Sequence, residues 1–336
     1  YLRILKVKYM KIGILKEIQS NESRVAITPD IAKKLISNNH SIFIESGCGK
    51  KSYFSDKDYL DSGCIIENDT KKIFNCELIL KVNSFTKNEL ESSNSNNTLI
   101  SFFQIKDNVE LLQTYIDKKV TVLSMSHIPR TTLAQNMDAL SSQSNIAGYK
   151  STIIAADHSP KYMPLLMTAA GTIKPSKVLI LGAGVAGLAA IANAKRMGAQ
   201  VFAFDVRPVV KEQVESLGAK FIEVESDNDE GTGEGGYAKE VSEEYKKKQG
   251  LLIEETIKKM DIVISTALIP EKKAPILISK NMVENMMPGS VIMDLAAQNG
   301  GNCELTECDE IITHNNIIID GRSNLPSTMA TDASQL

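Results

Sequence analysis

A glycine-rich turn between an apolar strand and an alanine-rich helix constrains the fold more than any other feature of this sequence. Val178-Leu179-Ile180-Leu181 is followed at once by Gly182-Ala183-Gly184-Val185-Ala186-Gly187 and then by a helical pattern over residues 188–197. A strand, a G-x-G-x-x-G turn and a helix in this order are typical of Rossmann domains that bind dinucleotides. The flanking elements carry the argument, because the glycine pattern alone is weak evidence.

Each glycine of the turn has its own steric role in such a domain. Gly182 permits the tight turn, Gly184 leaves space for a pyrophosphate beside the backbone, and Gly187 lets the helix pack close to the strand. The pyrophosphate would lie at the helix N-terminus, where unpaired N–H groups and the macrodipole favour an anion. A strand-to-helix turn with a purely structural role is the alternative interpretation.

A carboxylate ends the strand that comes next in the sequence. Asp205 follows Val201-Phe202-Ala203-Phe204, about 20 residues after the glycines, where it can accept hydrogen bonds from the adenosine ribose hydroxyls. The same charge repels a 2′-phosphate. The sequence therefore predicts NAD(H) rather than NADP(H), although Arg207 beside it would weaken that preference.

Two series of short apolar strands alternate with amphipathic segments, which predicts an α/β fold with two Rossmann-like, doubly wound parallel-sheet domains. Residues 10–140 form the expected N-terminal domain, to which residues 325–336 return, and residues 141–324 form the nucleotide-binding domain. A long helix over about residues 133–156 joins them. The predicted strands cover residues 10–15, 41–44, 77–82, 99–103, 120–123, 177–181, 201–205, 220–224, 261–265, 291–295 and 317–319.

The most irregular stretch is the acidic, glycine-rich segment over residues 225–237. It has too few apolar residues to pack against a core, so we expect it to be mobile. A solvated loop is one interpretation. The other is a loop that closes over a ligand with Tyr237, the aromatic residue at its end.

Composition argues against several other classes of protein. A formal net charge of −3 with interspersed charges disfavours nucleic-acid binding. The five cysteines include no C-x-x-C pair, and the histidines lack metal-ligand spacing. We therefore predict reduced, mostly buried thiols and no metal site.

The ends of the chain and its apolar stretches bear on membrane insertion. The longest apolar stretch, Val178 to Ala192, is interrupted by glycines and is shorter than the roughly 18 to 20 residues of a membrane span. No direct membrane span is therefore predicted. Because the chain opens Tyr1-Leu2-Arg3-Ile4 without an initiator methionine, we expect it to be a fragment of a larger polypeptide.

A compact polar stretch precedes the second series of strands. Arg130, Gln135, Asp138 and Ser141 all lie between Pro129 and Ser142. The last three are spaced by three residues, so a helix would place them on one face. A solvated helix start with Asp138 as an ordinary first-turn acid is the alternative.

This stretch, with Asn145-Ile146-Ala147-Gly148-Tyr149, resembles the Arg-Gln-Asp loop of proton-translocating NAD(P) transhydrogenases, in the NAD(H)-binding component of the alpha subunit. The resemblance runs from about Met10 to the last residue. Other segments that carry it are Arg24-Val25-Ala26-Ile27-Thr28-Pro29, Met167-Thr168-Ala169-Ala170-Gly171-Thr172, Lys211-Glu212-Gln213-Val214-Glu215-Ser216-Leu217-Gly218, Gly235-Gly236-Tyr237-Ala238-Lys239, Thr266-Ala267-Leu268-Ile269-Pro270 and Asp294-Leu295-Ala296-Ala297-Gln298-Asn299-Gly300-Gly301-Asn302-Cys303.

The resemblance implies that Arg130, Gln135, Asp138 and Ser141 hold the nicotinamide and its ribose, and that Tyr237 closes over the nucleotide. Further nucleotide contacts are implied for Val206, Arg207, Gly236, Gln249, Thr266, Ala267 and Leu268.

In that family the component is a homodimer that docks with a separate NADP(H)-binding component and a membrane domain. Hydride then passes directly between NAD(H) and NADP(H), in an enzyme of the Si-specific/Re-specific type, and the transfer is coupled to proton translocation. The implied location is the peripheral face of an energy-transducing membrane, on the bacterial cytoplasmic or mitochondrial matrix side.

The same fold resembles alanine dehydrogenase, which must move a proton as well as a hydride. Arg24 and Lys81 match its substrate-binding arginine and lysine, but Gln104 and Gln298 stand at the positions of its catalytic histidine and aspartate. Glutamine does not titrate, so the sequence disfavours amino-acid oxidation and predicts that Arg24 and Lys81 are structural ion-pair partners. Hydride transfer between two nicotinamides needs only ring proximity. A non-catalytic NAD(H) sensor is the third hypothesis.

Overall fold

The computed structural model describes residues 9–129, 131–224, 242–269 and 272–336. The chain forms two compact units, one comprising Tyr1–Gln143 with Pro326–Leu336 and the other Ser144–Leu325. Each unit contains a large, mainly parallel sheet with helical connections. The predicted α/β class with two doubly wound parallel sheets is confirmed.

The first unit is built on a sheet of six parallel strands. These are β1 (Lys11–Ile14), β2 (Ser41–Glu45), β3 (Ile65–Glu67), β4 (Leu78–Leu80), β5 (Thr98–Ser101) and β6 (Thr121–Ser124), in the order β3-β2-β1-β4-β5-β6. Its helices are α1 (Pro29–Ser37), α2 (Asp56–Asp61), α3 (Thr70–Ile73), α4 (Lys87–Glu91), α5 (Val109–Lys118) and α11 (Ala330–Gln335). The strand order reverses between β1 and β4, which makes this position the topological switch point.

Local sequence signals account for the start of this unit. Proline is the first residue of α1 and supplies a preset helical φ, as predicted, and β1 buries Ile12 and Ile14 in the core. Hydrogen bonds fix the C-terminal segment to the strand-to-helix connection. The backbone N–H of Ser23 donates to Ser327 Oγ (2.7 Å) and that of Val25 to Ser334 Oγ (2.9 Å).

The second unit contains a seven-stranded sheet and a separate hairpin. The hairpin strands are β7 (Leu166–Thr168) and β8 (Gly171–Ile173). The sheet strands are β9 (Lys177–Leu181), β10 (Gln200–Phe204), β11 (Lys220–Ile222), β12 (Ile262–Ser265), β13 (Val291–Asp294), β14 (Ile311–His314) and β15 (Ile317–Asp320), in the order β11-β10-β9-β12-β13-β15-β14. Here the switch point lies between β9 and β12.

The helices of this unit include α7 (Val185–Arg196), α8 (Lys211–Ser216), α9 (Glu243–Ile257) and α10 (Lys280–Glu284), and α6 (Ala139–His158) crosses the division between the units. The central strands β12 and β13 are buried along their whole length. Continuous burial explains why they are apolar runs rather than alternating patterns, since both faces of a parallel sheet are covered.

Several features of the fold differ from the sequence-based expectations, and strands β3 and β14 were not predicted. The hairpin β7–β8 was not predicted, because strands of three residues are too short to show a period of two. Strand β14 pairs antiparallel with β15 at the sheet edge. Helix α6 begins at Ala139 rather than near residue 133.

Four of the five cysteines are buried, as predicted, and Cys308 is exposed. None of the helices in the described ranges is long and apolar enough to cross a membrane.

Candidate nucleotide-binding site

The glycine turn is fixed to the ends of its two neighbouring strands. Gly182 has a φ of +99°, a conformation that glycine adopts readily. Its N–H donates to the carbonyl of Phe204 (2.8 Å), and its carbonyl accepts the hydroxyl of Thr266 (3.0 Å). The turn is thereby tied to the carboxyl ends of both β10 and β12, where open α/β sheets bind ligands.

The two later glycines differ in what surrounds them. A Cβ at Gly187 would lie 1.9 Å from the carbonyl oxygen of Gly182, whereas a Cβ at Gly184 would meet no atom within 4 Å. Gly187 is therefore needed for the fold itself, and Gly184 borders open space at the N-terminus of α7, the twelve-residue helix that begins at Val185. This arrangement fits a pyrophosphate held by backbone N–H groups.

A third glycine sets the position of α7 from the other side. A Cβ at Gly148 in α6 would lie 2.0 Å from the carbonyl oxygen of Ala186. The Thr152 hydroxyl donates to the carbonyl of Gly148 (3.0 Å) and lies 3.4 Å from that of Ala190. Close contact between the two helices thus depends on the glycine in the Asn145-to-Tyr149 segment.

Asp205 lies where the sequence predicted a ribose-binding carboxylate. It is 8% exposed, and its Oδ2 accepts the N–H of Ala183 in the glycine turn (2.7 Å). The Arg207 guanidinium forms an ion pair with the same carboxylate, with Nη2 2.7 Å from Oδ2. The hydrogen bonds that Arg207 donates to Asp205 raise the pKa of the guanidinium above its ordinary value.

The loop after β12 is held by a residue that the sequence analysis did not identify as functional. Asn302 is fully buried, and its side chain accepts the N–H of Ala267 (3.0 Å) while donating to the carbonyls of Ala267 (2.9 Å) and Pro275 (2.8 Å). Asp294 holds Asn302 in turn, by accepting its backbone N–H at 2.7 Å. An asparagine after two glycines, in a segment beginning with a buried aspartate, is the available sequence signal.

The other residues of the second unit that were predicted to contact the nucleotide differ in how closely they adjoin the glycine turn. Thr266 and Ala267 adjoin the glycine turn through the bonds above, and Leu268 follows them with 42% of its surface exposed. Val206 packs partly buried against the sheet core, and Gln249 is buried in α9. Gly236 lies outside the described residues.

The nearby thiol is unsuited to nucleophilic chemistry. Cys303 is buried, and burial raises its pKa to about 11. At neutral pH the reactive thiolate is therefore scarce, in agreement with a packing role for this residue.

In the first unit, the polar stretch after β6 has a geometry that differs from the expected single helix. Gln135 lies exposed in a short 3₁₀ turn over Gln135–Met137, and α6 starts only at Ala139. Asp138 separates them and caps α6, since its carboxylate accepts the N–H (3.1 Å) and hydroxyl (2.6 Å) of Ser141. The expectation that Gln135, Asp138 and Ser141 share one helical face is wrong. Arg130 and Tyr237 lie outside the described residues.

Arg24 and Lys81 form buried ion pairs, as the sequence analysis predicted. Arg24 donates through Nη2 to Glu22 Oε2 (2.7 Å) and through Nη1 to Gln143 Oε1 (2.8 Å). Lys81 Nζ lies 2.8 Å from Glu89 Oε1, with 1% of the lysine side chain exposed. Each cation is thus held by a carboxylate of the protein itself.

Comparison with known proteins places these features in context. The chain is 44% identical over 328 residues to the NAD(P) transhydrogenase subunit alpha of Haemophilus influenzae, covering 97% of this chain and 64% of that protein. A transhydrogenase alpha-subunit protein of Rickettsia prowazekii is 45% identical, with 97% of this chain and 86% of that protein covered. The chain therefore spans slightly less than two thirds of the Haemophilus subunit.

Alanine dehydrogenase is a more distant relative. The enzyme of Staphylococcus epidermidis is 31% identical, over 91% of this chain and 77% of its own length. Among solved structures, the transhydrogenase from Sinorhizobium meliloti superposes with a TM-score of 0.86 at 38% identity, over 97% of this chain and 90% of that one.

Two family models match nearly the whole chain. The alanine dehydrogenase/PNT N-terminal domain matches residues 13–147, and the C-terminal domain of the same family matches residues 151–336. The protein accordingly belongs to the alanine dehydrogenase/PNT family, with its higher identities to transhydrogenase alpha subunits.

Proposed function

We propose that this chain is the NAD(H)-binding component of a proton-translocating NAD(P) transhydrogenase. The observation that carries the proposal is the glycine turn with Asp205 at its side, in a chain 44–45% identical to transhydrogenase alpha subunits over 97% of its length. Hydride would pass directly between NAD(H) on this chain and NADP(H) on a partner component.

Each part of the second unit has a separate binding task in this proposal. The N-terminus of α7, beside Gly184, binds the pyrophosphate, and Asp205 binds the adenosine ribose. Thr266, Ala267 and Leu268 line the adjoining edge. When bound, NAD(H) supplies the hydride at carbon 4 of its nicotinamide.

Residues outside the glycine turn would hold the reacting half of the nucleotide. The proposal assigns the nicotinamide and its ribose to Arg130, Gln135, Asp138 and Ser141, and closure over the nucleotide to Tyr237. Asp138 orients Ser141 through the 2.6 Å hydrogen bond between their side chains. That bond supports a preset polar surface, which would fix the ring without forming a covalent bond to it.

The proposed reaction requires no acid/base group. The two positions that match the catalytic histidine and aspartate of alanine dehydrogenase contain none. Gln104 is partly buried, Gln298 is exposed, and neither side chain titrates. Amino-acid oxidation would need a proton acceptor and cations able to clamp a carboxylate. Because Arg24 and Lys81 already pair with Glu22 and Glu89, the chemistry favours the transhydrogenase over an alanine dehydrogenase.

The proposal includes a homodimer, a separate NADP(H)-binding component and a membrane domain that couples hydride transfer to proton movement. Its location would be the peripheral face of an energy-transducing membrane, on the bacterial cytoplasmic or mitochondrial matrix side. The stereochemistry would be that of the Si-specific/Re-specific type.

Hydride transfer from NADH to an oxidised NAD analogue tests this function. The assay is run with and without a transhydrogenase NADP(H)-binding component and a trace of NADPH, which cycles between its two redox states. Turnover only in the presence of both is the expected result. Binding of NADH without turnover would favour a sensor, and pyruvate amination by the isolated chain would favour the dehydrogenase.

A further inference from the structure

The carboxylate assigned to the adenosine ribose is already fully hydrogen-bonded within the protein. Asp205 Oδ1 accepts the backbone N–H of Arg207 (2.8 Å) and its Nε (2.9 Å). Oδ2 accepts the N–H of Ala183 (2.7 Å) and Nη2 of Arg207 (2.7 Å). A carboxylate offers about four acceptor positions, so these four donors use its whole capacity.

The four donors are of two kinds. Two are backbone N–H groups, fixed by the glycine turn and by the chain immediately after β10, and they cannot leave without refolding this edge of the sheet. The other two belong to the Arg207 guanidinium, which sits on a rotatable side chain that is 13% exposed. Its departure would free two acceptor positions, one for each of the two hydroxyls on the adenosine ribose.

We propose that Arg207 is a specificity-determining residue that competes with the ribose for Asp205. This inference rests on the proposed NAD(H) site. The guanidinium occupies the carboxylate until the ribose hydroxyls replace it, so Arg207 lowers the affinity for NAD(H). It also compensates the charge of Asp205, so it weakens the repulsion that this carboxylate exerts on a 2′-phosphate.

The two effects act in opposite directions on the two nucleotides. Without the guanidinium, Asp205 is ready for the ribose of NADH and repels the 2′-phosphate of NADPH more strongly. The pair is bidentate, but the two ribose hydroxyls replace both of its hydrogen bonds to Asp205, so only the difference between the two arrangements changes the affinity. We therefore expect removal of Arg207 to tighten NADH binding about threefold to tenfold and to weaken NADPH binding by a similar factor.

The experiment compares nucleotide affinities of the full chain carrying Arg207→Met with those of the parent. Methionine retains an unbranched apolar stem and removes the charge and all donors. NADH and NADPH are titrated separately by the change in nucleotide fluorescence, and thermal melting verifies that each variant is folded. Arg196→Met is the matched control, since Arg196 is exposed in the last turn of α7 and the same change there should leave both affinities unchanged.

A double-mutant cycle distinguishes competition for Asp205 from a direct effect of Arg207 on the nucleotide. Asp205→Asn keeps an acceptor for the Ala183 N–H and removes the charge. In that background, Arg207→Met should change NADH affinity by less than about twofold. An equal effect in both backgrounds would overturn the competition.

The outcomes separate this inference from the proposed function. Tighter NADH and weaker NADPH binding by Arg207→Met support the competition. Weaker NADH binding by that variant, in a parent that binds NADH, overturns the competition alone and makes Arg207 a simple nucleotide contact. A parent that binds no NADH overturns the proposed function and this inference together.

Discussion

The two sheets of this protein share the order of their first five strands but differ in chemistry at their switch points. In each sheet, the first strand lies between the second strand and a later one, and both pairings are parallel. In the first unit β1 lies between β2 and β4, and in the second unit β9 lies between β10 and β12. In each, a carboxylate at the end of the second strand accepts an N–H from the turn after the first. Glu45 accepts that of Lys16 (2.8 Å), and Asp205 accepts that of Ala183 (2.7 Å).

The turns themselves then differ. The second unit continues with glycines and a helix whose N-terminus borders open space. The first unit continues with Glu17, whose carboxylate accepts the N–H groups of Val82 (2.6 Å) and Asn83 (3.2 Å) just after β4. Protein groups therefore satisfy one another at the first switch point, where a Rossmann-type sheet would otherwise receive a ligand.

The two switch points also differ in their charged groups. The pairs Arg24–Glu22 and Lys81–Glu89 lie in the first unit, while the second switch point leaves backbone N–H groups at a helix N-terminus. Strand order thus positions a crevice in each sheet but does not determine what fills it. The residues immediately after the strands decide whether it is filled by the protein or by a nucleotide.

The largest expected effect is on stability, and it concerns the first switch point, which is filled by side chains of the protein. Lys81→Met should lower the free energy of unfolding by about 4 kcal/mol, because it removes a buried cation and leaves the largely buried Glu89 carboxylate, 11% exposed, without its ion-pair partner. NADH affinity should stay within about twofold, because the glycine turn and Asp205, to which the proposal assigns most of the nucleotide contacts, lie in the other unit. Calorimetry with and without NADH, together with NADH titration, measures both quantities.

Lys72→Met is the matched control. Lys72 forms an exposed pair with Glu67 at 3.7 Å, and such pairs contribute little, so its loss should leave the melting temperature almost unchanged. If Lys81→Met abolished NADH binding while the protein stayed folded, the assignment of the two switch points to separate tasks would be wrong.

The second prediction concerns the glycine turn. Gly187→Ala would place a Cβ 1.9 Å from the carbonyl oxygen of Gly182, so α7 must shift. We expect a loss of about 3 kcal/mol in stability and at least tenfold weaker NADH binding. Urea unfolding and NADH titration give the two values.

Gly184→Ala separates folding from binding at the same turn. A Cβ there meets no protein atom within 4 Å, so stability should change by less than about 0.5 kcal/mol. NADH affinity should fall about tenfold, because the methyl group occupies space that the pyrophosphate needs. Unchanged affinity would show that the pyrophosphate does not pass Gly184.

The second unit was the more predictable of the two from sequence, for a physical reason. Its strand, turn and helix are contiguous along the chain, and each glycine has a steric role that can be read from its position. The first switch point joins Glu17, Arg24, Lys81 and Glu89 across several elements. Sequence predicted ion pairs for Arg24 and Lys81 without naming their partners. Glu22 lies only two residues from Arg24, whereas Glu89 lies eight residues from Lys81 in a separate helix.

Side-chain orientation was equally hard to predict. Arg207 is two residues from Asp205, so their proximity could be predicted. The bidentate contact between them depends on the rotamer of the Arg207 side chain, which sequence does not specify. The start of α6 was missed because the spacing of Gln135, Asp138 and Ser141 by three residues favours one continuous helix over this stretch. The spacing from Asp138 to Ser141 is also that of a helix cap to its third residue, and this signal would have located the helix start.

The third prediction tests what the first unit contributes to the proposed reaction. Gln135→Asn shortens an exposed side chain of the 3₁₀ turn by one methylene. Hydride transfer to the NADP(H)-binding component should slow about tenfold, because small displacements of a positioned ring reduce productive alignment. NADH affinity should stay within about twofold, since Asp205 and the glycine turn supply most contacts.

Stopped-flow hydride transfer and NADH titration provide the two readouts. Asn136→Ala, at the exposed neighbouring position, should leave both unchanged. Equal transfer rates in Gln135→Asn and the parent would remove the positioning role of Gln135 and leave the first unit without a demonstrated part in the reaction.

The smallest expected effect is a pH dependence confined to the first switch point. Burial raises the pKa of Glu17 above its ordinary value, although Lys81 and the N–H donors oppose this. A carboxyl group with a raised folded-state pKa contributes stability that is present below about pH 4.5 and is lost as pH rises through the folded-state pKa. Glu17→Gln should therefore gain stability relative to the parent between pH 4.5 and 7, by less than about 1 kcal/mol.

The predicted gain is the change, between pH 4.5 and pH 7, in the stability of Glu17→Gln relative to the parent. A loss of stability that is the same at both pH values, caused by replacing a hydrogen-bonded carboxylate with an amide, therefore cancels. Urea unfolding of both proteins at pH 4.5, 5.5 and 7 measures it, and NADH affinity at pH 7 should be the same in both. A difference in stability that shrinks towards pH 7 would mean that the N–H groups of Val82 and Asn83 stabilise the carboxylate more than burial disfavours it. The backbone N–H groups at the first switch point would then bind an anion, namely the carboxylate of Glu17. In this respect the first switch point would resemble the glycine turn, where backbone N–H groups are proposed to bind the pyrophosphate.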